Sequence, residues 1–160
     1  MNILALQKKL LKLPFGQALF SYVVARNAPY FLSIKPRILH LAPHRCEVRM
    51  RKRWRVQNHI KTVHAIAMCN MAELAGGMCI EVTIPREFRW IPAGMEVSYL
   101  KKAETDLIAT CELPEIDWPN TKEVICPVSI TNTEGVEVMS ARIRMYISAK
   151  KPRKARPQNA

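Results

Sequence analysis

The sequence predicts an α+β fold in which an antiparallel β-sheet wraps around one long α-helix. The first observation is that a single long helical segment, residues 62–79, follows the N-terminal region. The second is that four stretches with strand-like patterning follow this helix in direct succession, without the helical crossovers that parallel strands need. The chain has 160 residues, which is the usual size of one domain with one core.

The first 34 residues are predicted to form an N-terminal helical extension. Apolar residues recur there at helical spacing, as Ile3, Leu6, Leu10 and Leu13. The apolar pattern resumes after Pro14, so we expect two short helices that pack against the domain, with contact to a membrane surface as the alternative. The domain itself is expected over residues 35–149, followed by a disordered basic tail at residues 150–160.

Residues 45–56 alternate between apolar and basic side chains. One face would carry Cys46, Val48, Met50, Trp54 and Val56, and the other would carry Arg45, Arg49, Arg51, Arg53 and Arg55. This period of two predicts one strand with a basic face. Such a face can bind nucleic acid or an anionic membrane, but it lacks interleaved aromatic residues, so a solvated sheet surface is favoured.

The long helix is predicted to begin with Thr62 as its N-cap and to end near Gly76 and Gly77 or shortly after. The strands beyond it are expected at residues 94–102, 106–113, 123–132 and 136–149. Pro127 suggests an edge strand or a bulge. In the last strand, the residues expected to face the core are Met139, Ala141, Ile143, Met145 and Ile147.

Composition narrows the range of functions. The chain has 25 Lys and Arg against 13 Asp and Glu, a net charge of +12 that favours anionic partners. Its five cysteines form no C-x-x-C pair, so we expect no metal site. Their odd count and wide scatter favour reduced thiols in a cytoplasmic protein, and we expect no cofactor. Asn70 and Glu73 interrupt the best apolar run, so no membrane-spanning helix is expected.

Common catalytic motifs such as G-x-S-x-G, G-x-G-x-x-G and H-E-x-x-H are absent, which leaves residues 58–77 as the candidate site. Glu73 has no Lys or Arg at a pairing position on its helix, which suits either proton transfer or an ordinary exposed glutamate. His64 lies at the helix start, where the backbone N–H groups of Val63 to Ile66 can polarise a carbonyl, or where the ring simply bonds a nearby group. Asn58 can orient a water or a thioester, or can hold its turn.

His64 and Glu73 are nine residues apart, which on a helix corresponds to about 900° of rotation and about 13 Å of rise. They therefore lie on opposite faces of the helix. If both serve one reaction, His64 of one subunit must meet Glu73 of another across a two-fold axis.

The order Asn58, His64 and Glu73, with spacings of six and nine residues, resembles the hotdog-fold acyl-CoA thioesterases. The phenylacetate-pathway and enterobactin-pathway enzymes are similar types, as is an uncharacterised hotdog subgroup known only as a domain of unknown function. The resemblance covers roughly residues 37–150. It implies that Glu73 is the nucleophile or general base, that His64 and the backbone N–H of Ala65 polarise the thioester, and that Asn58 helps to position it.

The same resemblance implies a homodimer or a dimer of dimers that acts on an acyl-CoA or an acyl carrier protein thioester. The chain departs from the family at Ala65 and Ile66, where Gly-Gly is usual. Ile66 would crowd the acyl group, and we expect Ile66 and Asn70 to contact the substrate. The expected function is thus thioester hydrolysis. The alternatives are a non-catalytic protein that binds acyl chains or acyl-CoA, and a basic protein that binds nucleic acid or an anionic membrane.

Overall fold

Six strands form one antiparallel sheet in the computed structural model, which describes residues 2–150. Of the tail expected at residues 150–160, residues 151–160 lie outside the described residues. The helices are α1 (Ile3–Leu10), α2 (Gly16–Asn27) and α3 (Ala65–Thr83), with short 3-10 helices at Pro29–Ile34, Trp54–Val56 and Trp118–Asn120. The strands are β1 (Arg37–Ala42), β2 (Arg45–Met50), β3 (Phe88–Tyr99), β4 (Leu107–Glu112), β5 (Glu123–Thr131) and β6 (Glu137–Ala149).

The sheet has the order β1-β2-β4-β5-β6-β3, and α3 packs against all six strands. This arrangement confirms the predicted α+β fold with its central helix. The alternation in β6 also holds, since the five residues expected inside are buried: Met139, Ala141, Ile143, Met145 and Ile147. Alternate residues of β6 bury one face against α3 because successive side chains of a strand point to opposite faces.

The bounds predicted for the long helix are wrong at both ends. The N-cap is His64 rather than Thr62, and the helix continues through both glycines to Thr83. Gly76 and Gly77 do not end the helix; they allow side chains of the sheet to pack closely against it. A Cβ at Gly76 would lie 3.0 Å from the Ile143 side chain, and one at Gly77 would lie 3.1 Å from the Trp90 ring.

The prediction of one strand over residues 45–56 is also wrong. β2 ends at Met50, and the chain then turns through a 3-10 helix in which Trp54 is 84% exposed. The five arginines therefore do not form a single ladder. Arg49 pairs with Asp106 at 2.7 Å, and the same carboxylate accepts the backbone N–H of Lys52 at 2.9 Å. These bonds hold the chain where β2 ends.

We expect Asp106→Asn to lower the free energy of unfolding by about 1 kcal/mol at neutral pH, because it breaks a half-exposed ion pair. The hydrogen bond from Arg49 is the main cause that lowers the pKa of Asp106. A lowered folded-state pKa stabilises the protein above the unfolded value of roughly 3.9, and this contribution disappears as the pH falls through the folded value. Denaturant unfolding at pH 7 and at pH 2.5 measures the difference. The exposed Glu134→Gln is the matched control, and an equal loss from Asp106→Asn at both pH values would contradict the role of its charge.

The two edges of the sheet differ. At one edge lies β1, a strand that the sequence analysis did not predict. This edge is covered by α2: Ser21 accepts the Ile38 N–H at 2.9 Å, and Gln17 donates to the Leu39 carbonyl at 3.1 Å. The β3 strand, predicted to begin at residue 94, starts at Phe88 and pairs within the described residues with β6 alone. One edge is thus closed by a helix, and the other leaves a twelve-residue strand open.

Pro127 does not lie in an edge strand, as β5 runs between β4 and β6. The pairing of β5 with β4 begins only at Val128, so Pro127 is paired with Arg142 on one side. No bulge occurs at this position. The missing N–H is therefore accommodated where the pairing between β4 and β5 has ended.

The cysteines lie mainly in the core. All five thiols are free, and four of them are buried: Cys46, Cys79, Cys111 and Cys126. By length and composition, α3 is apolar enough to cross a membrane. The sequence analysis did not expect any such helix. α3 is 61% buried inside the fold, as is typical of the core helix of a globular domain.

Candidate functional site

His64 caps the N-terminus of α3 with its ring. Its Nδ1 accepts the backbone N–H of Ile66 at 3.0 Å, while the side chain itself is exposed. A neutral imidazole that accepts at Nδ1 carries its proton on Nε2. The histidine therefore presents an N–H donor at the positive end of the helix.

The backbone donors at the start of α3 are less numerous than the sequence suggests. The N–H of Val63 donates to Ala103 at 2.8 Å, that of His64 donates to Val56 at 2.8 Å, and that of Ile66 donates to the His64 ring. Within residues 2–150, the N–H of Ala65 has no hydrogen-bond partner. A free backbone N–H beside the His64 ring is chemically able to donate to a negatively charged oxygen.

Asn58 organises the loop before the helix. Its Oδ1 accepts the backbone N–H groups of Ile60 and Thr62, each at 3.1 Å, and its Nδ2 donates to the Thr62 hydroxyl at 2.8 Å. The side chain thus holds the turn, which was one of the two roles expected from the sequence. A second amide hydrogen is left for the other role, contact with a substrate.

Glu73 lies in the middle of α3, half-buried, on the face that runs beside β3. One turn before it, the Cys69 thiol and the Tyr99 hydroxyl share a hydrogen bond of 3.3 Å. One turn after it, Gly77 lies under the Trp90 ring. In the described part of the chain, the Glu73 carboxylate has no hydrogen bond and no ion pair. No group within residues 2–150 therefore holds or neutralises this carboxylate.

The β3 residues beside Glu73 are functional candidates that the sequence analysis missed. The hydrogen bond with Cys69, together with partial burial, raises the pKa of Tyr99 to about 12, so its phenol stays protonated at neutral pH. The Trp90 indole N–H donates to Glu81 at 2.7 Å, which fixes the ring over the helix. No local motif reveals these two aromatic residues, because the sheet brings them to α3 from a distant part of the chain.

Asn70 and Ile66 lie on the same side of α3 as Glu73. Asn70 is 5% exposed and donates to the Ser33 hydroxyl at 3.1 Å and to the Tyr30 carbonyl at 3.3 Å. Its buried Oδ1 has no hydrogen-bond partner within the described residues. Ile66 is 53% exposed. The Asn70 Oδ1 is thus enclosed by the fold, whereas Ile66 presents an apolar surface to solvent.

α3 is continuous from Ala65 to Thr83, so the separation of His64 and Glu73 by about half a rotation and about 13 Å applies to the folded chain. Asn58, His64 and Ala65 come together at the helix start. Glu73 lies with Asn70 in the middle of the helix. One chain does not bring these two groups together.

A cavity of about 890 Å³ lies at the other end of α3, away from His64. Among its lining residues are Glu81, Trp90, Arg89 and Lys150, and Glu73 is not one of them. Asn58, His64 and Glu73 therefore lie outside this cavity, whereas Trp90 lies at its wall. Within residues 2–150, no group of three or more His, Cys, Asp or Glu side chains is placed to hold a metal ion.

Comparison with solved structures places this geometry in a known fold. A crystal structure named only as genomics APC5556 is 40% identical, with a TM-score of 0.82 over 92% of this chain and 99% of that chain. A Pseudomonas aeruginosa protein described as of unknown function and as a probable thioesterase is 20% identical, with a TM-score of 0.74 over 86% of this chain and 97% of that chain. A thioesterase from Haemophilus influenzae is 10% identical, with a TM-score of 0.69 over 79% and 87% of the respective chains.

The last two structures share the hotdog fold of thioesterases with this chain, which confirms the fold that the resemblance implied. No curated protein matches the chain. The family model described as Domain of unknown function (DUF4442) matches residues 16–147. The chain is therefore a hotdog-fold protein that belongs to the DUF4442 family.

Proposed function

We propose that this protein hydrolyses the thioester of an acyl-CoA at a site shared by two copies of the chain. The observation that carries the proposal is a pair of groups on α3 that have no partner within residues 2–150: the Ala65 N–H at its start and the Glu73 carboxylate in its middle. One can stabilise a negative oxygen and the other can supply a base or a nucleophile. The thioesterases that share the fold support this choice.

In the proposed reaction, the Ala65 N–H and the His64 Nε2–H donate to the thioester oxygen. Glu73 takes a proton from water, and the water oxygen bonds to the carbonyl carbon. The C–S bond then breaks, and Glu73 returns its proton to the leaving thiolate of coenzyme A. A covalent route is the alternative, in which the Glu73 carboxylate itself attacks and water then hydrolyses the anhydride. Both routes give a free acid and a free thiol.

The open β3 edge supports a homodimer. A twelve-residue strand with an unpaired edge is a template for pairing with a second copy. Pairing two β3 strands across a two-fold axis would set the α3 helices side by side and bring Glu73 of one subunit toward His64 of the other. The dimer would then contain two equivalent sites, and two such dimers could associate further.

Substrate contacts are assigned to the remaining residues of this helix face. We propose that Ile66 packs against the acyl chain, and that Asn70 shapes the same side of the site by holding the segment Pro29–Ile34 against α3. The positive charge suits the phosphates of coenzyme A or an acidic acyl carrier protein. The five free thiols suit the reducing environment of the cytoplasm.

A panel of short, long and aromatic acyl-CoAs tests the proposal, with release of free thiol as the measurement. We expect turnover with at least one acyl class, at a rate unaffected by a metal chelator. If the folded protein binds acyl-CoA but releases no thiol, the non-catalytic acyl-binding alternative replaces the proposal. If it neither binds nor cleaves any member, both assignments fail.

A further inference from the structure

The turn between α1 and α2 presents an apolar surface to solvent. Phe15 is 89% exposed, and Leu11 and Leu13 are half exposed. Phe15 also has φ of 58° and ψ of 17°, a left-handed conformation that is rare for a bulky residue. Strain of this kind persists where the surrounding structure imposes it and where it serves a purpose.

The apolar surface continues along the outer face of α2. Phe15, Leu19 and Tyr22 are spaced four and three residues apart, so they form one stripe, and all three are exposed. The opposite face of α2 is buried against the domain through Phe20 and Val24. α2 is thus apolar on both sides, and its outer side has no partner within the described residues.

The charge around this stripe has one sign. No Asp or Glu occurs before Glu47, whereas seven Lys and Arg residues do. Lys8, Lys9 and Lys12 are exposed beside the turn, and none of them forms an ion pair within residues 2–150. Exposed leucines and a phenylalanine bordered by lysines are the composition of a surface that inserts into an anionic bilayer.

We propose that residues 8–22, which we call the N-terminal tip, dock this protein on an anionic phospholipid surface. Phe15, Leu13 and Leu19 would enter the boundary between headgroups and acyl chains. Lys8, Lys9 and Lys12 would lie against the phosphates. A second copy of the chain would cover an apolar stripe equally well, but two copies of this basic surface would repel each other.

Vesicle flotation with the full chain tests the proposal, with phosphatidylcholine vesicles compared with vesicles containing 30% phosphatidylglycerol. We expect binding to the anionic vesicles. Phe15→Ser keeps every charge, and it should lower the partition coefficient more than tenfold, since a buried Phe contributes about 1.5–3 kcal/mol. Lys8→Gln with Lys9→Gln should lower it about 30-fold, at about 1 kcal/mol for each lysine.

The matched control is Lys101→Gln with Lys102→Gln, which removes the same charge from exposed lysines outside the tip and should leave the partition coefficient unchanged. Equal losses from the two lysine pairs would overturn the proposal, as would a Phe15→Ser protein that binds like the wild type. If the particle mass of Phe15→Ser in solution were half that of the wild type, the apolar stripe would instead be a contact between two copies of the chain. Hydrolysis of a soluble acyl-CoA by Phe15→Ser should match the wild type, so the result does not depend on the proposed enzymatic function.

Discussion

Glu73→Gln is expected to lower kcat for thioester hydrolysis by about 10²- to 10⁴-fold. Glutamine keeps the size of the side chain but neither accepts the proton of water nor attacks a carbonyl. Within the described residues the Glu73 carboxylate has no hydrogen bond and no ion pair, so the substitution should change the free energy of unfolding by no more than about 0.5 kcal/mol. The loss of activity would therefore report on chemistry and not on folding.

Glu81→Gln is the matched control for this prediction. Glu81 lies two turns further along the same side of α3, where it accepts the Trp90 indole N–H, and a glutamine oxygen can accept the same bond. Its kcat should stay near that of the wild type. An equal loss in both variants would assign the effect to the packing of α3, and full activity in Glu73→Gln would remove Glu73 from the reaction.

The sequence predicts strands well where one face is buried. In β6, apolar and polar residues alternate because one side packs on α3, and its predicted bounds are off by one residue at the start. The register of β1 shifts between Ile38 and His40, which interrupts the period of two, and the sequence analysis missed this strand. Half of β3 was missed for another reason: none of its residues is fully buried, and Pro92 and Gly94 interrupt the strand pattern in its middle.

The helix bounds depend on contacts between distant residues. Thr62 and His64 can both cap a helix, but the Asn58 side chain engages Thr62, and the Val63 N–H bonds to Ala103. These contacts delay the start of α3 by two residues. Likewise Gly76 and Gly77 resemble a helix end in the sequence, whereas in the fold they admit the side chains of β6 and β3.

The candidate site also has features that the sequence predicts and features that only the fold reveals. The spacing of Asn58, His64 and Glu73 is a local property of the sequence, and it is sufficient to show that His64 and Glu73 lie apart on one helix. The free N–H of Ala65 depends on which neighbouring donors are already bonded, so it is visible only in the fold. Tyr99 and Trp90 reach α3 through the pairing of β3 with β6.

Mixing two inactive variants should restore activity, because the proposed site takes its oxyanion donors from one subunit and its carboxylate from the other. The variants are His64→Ala and Glu73→Gln, each purified and shown to be folded, dimeric and inactive. After unfolding and refolding together at equal amounts, half of the dimers combine one subunit of each kind. Each such dimer contains one complete site out of two, which gives about a quarter of the wild-type activity.

Refolding each variant alone is the control, and neither should regain turnover. This mixing experiment tests the central claim most directly, since the proposed reaction uses both His64 and Glu73, which the helix geometry separates within one chain. Recovery to about a quarter of the wild-type rate is the predicted result. Mixed dimers that form in the expected proportion and stay inactive would contradict a site shared between subunits.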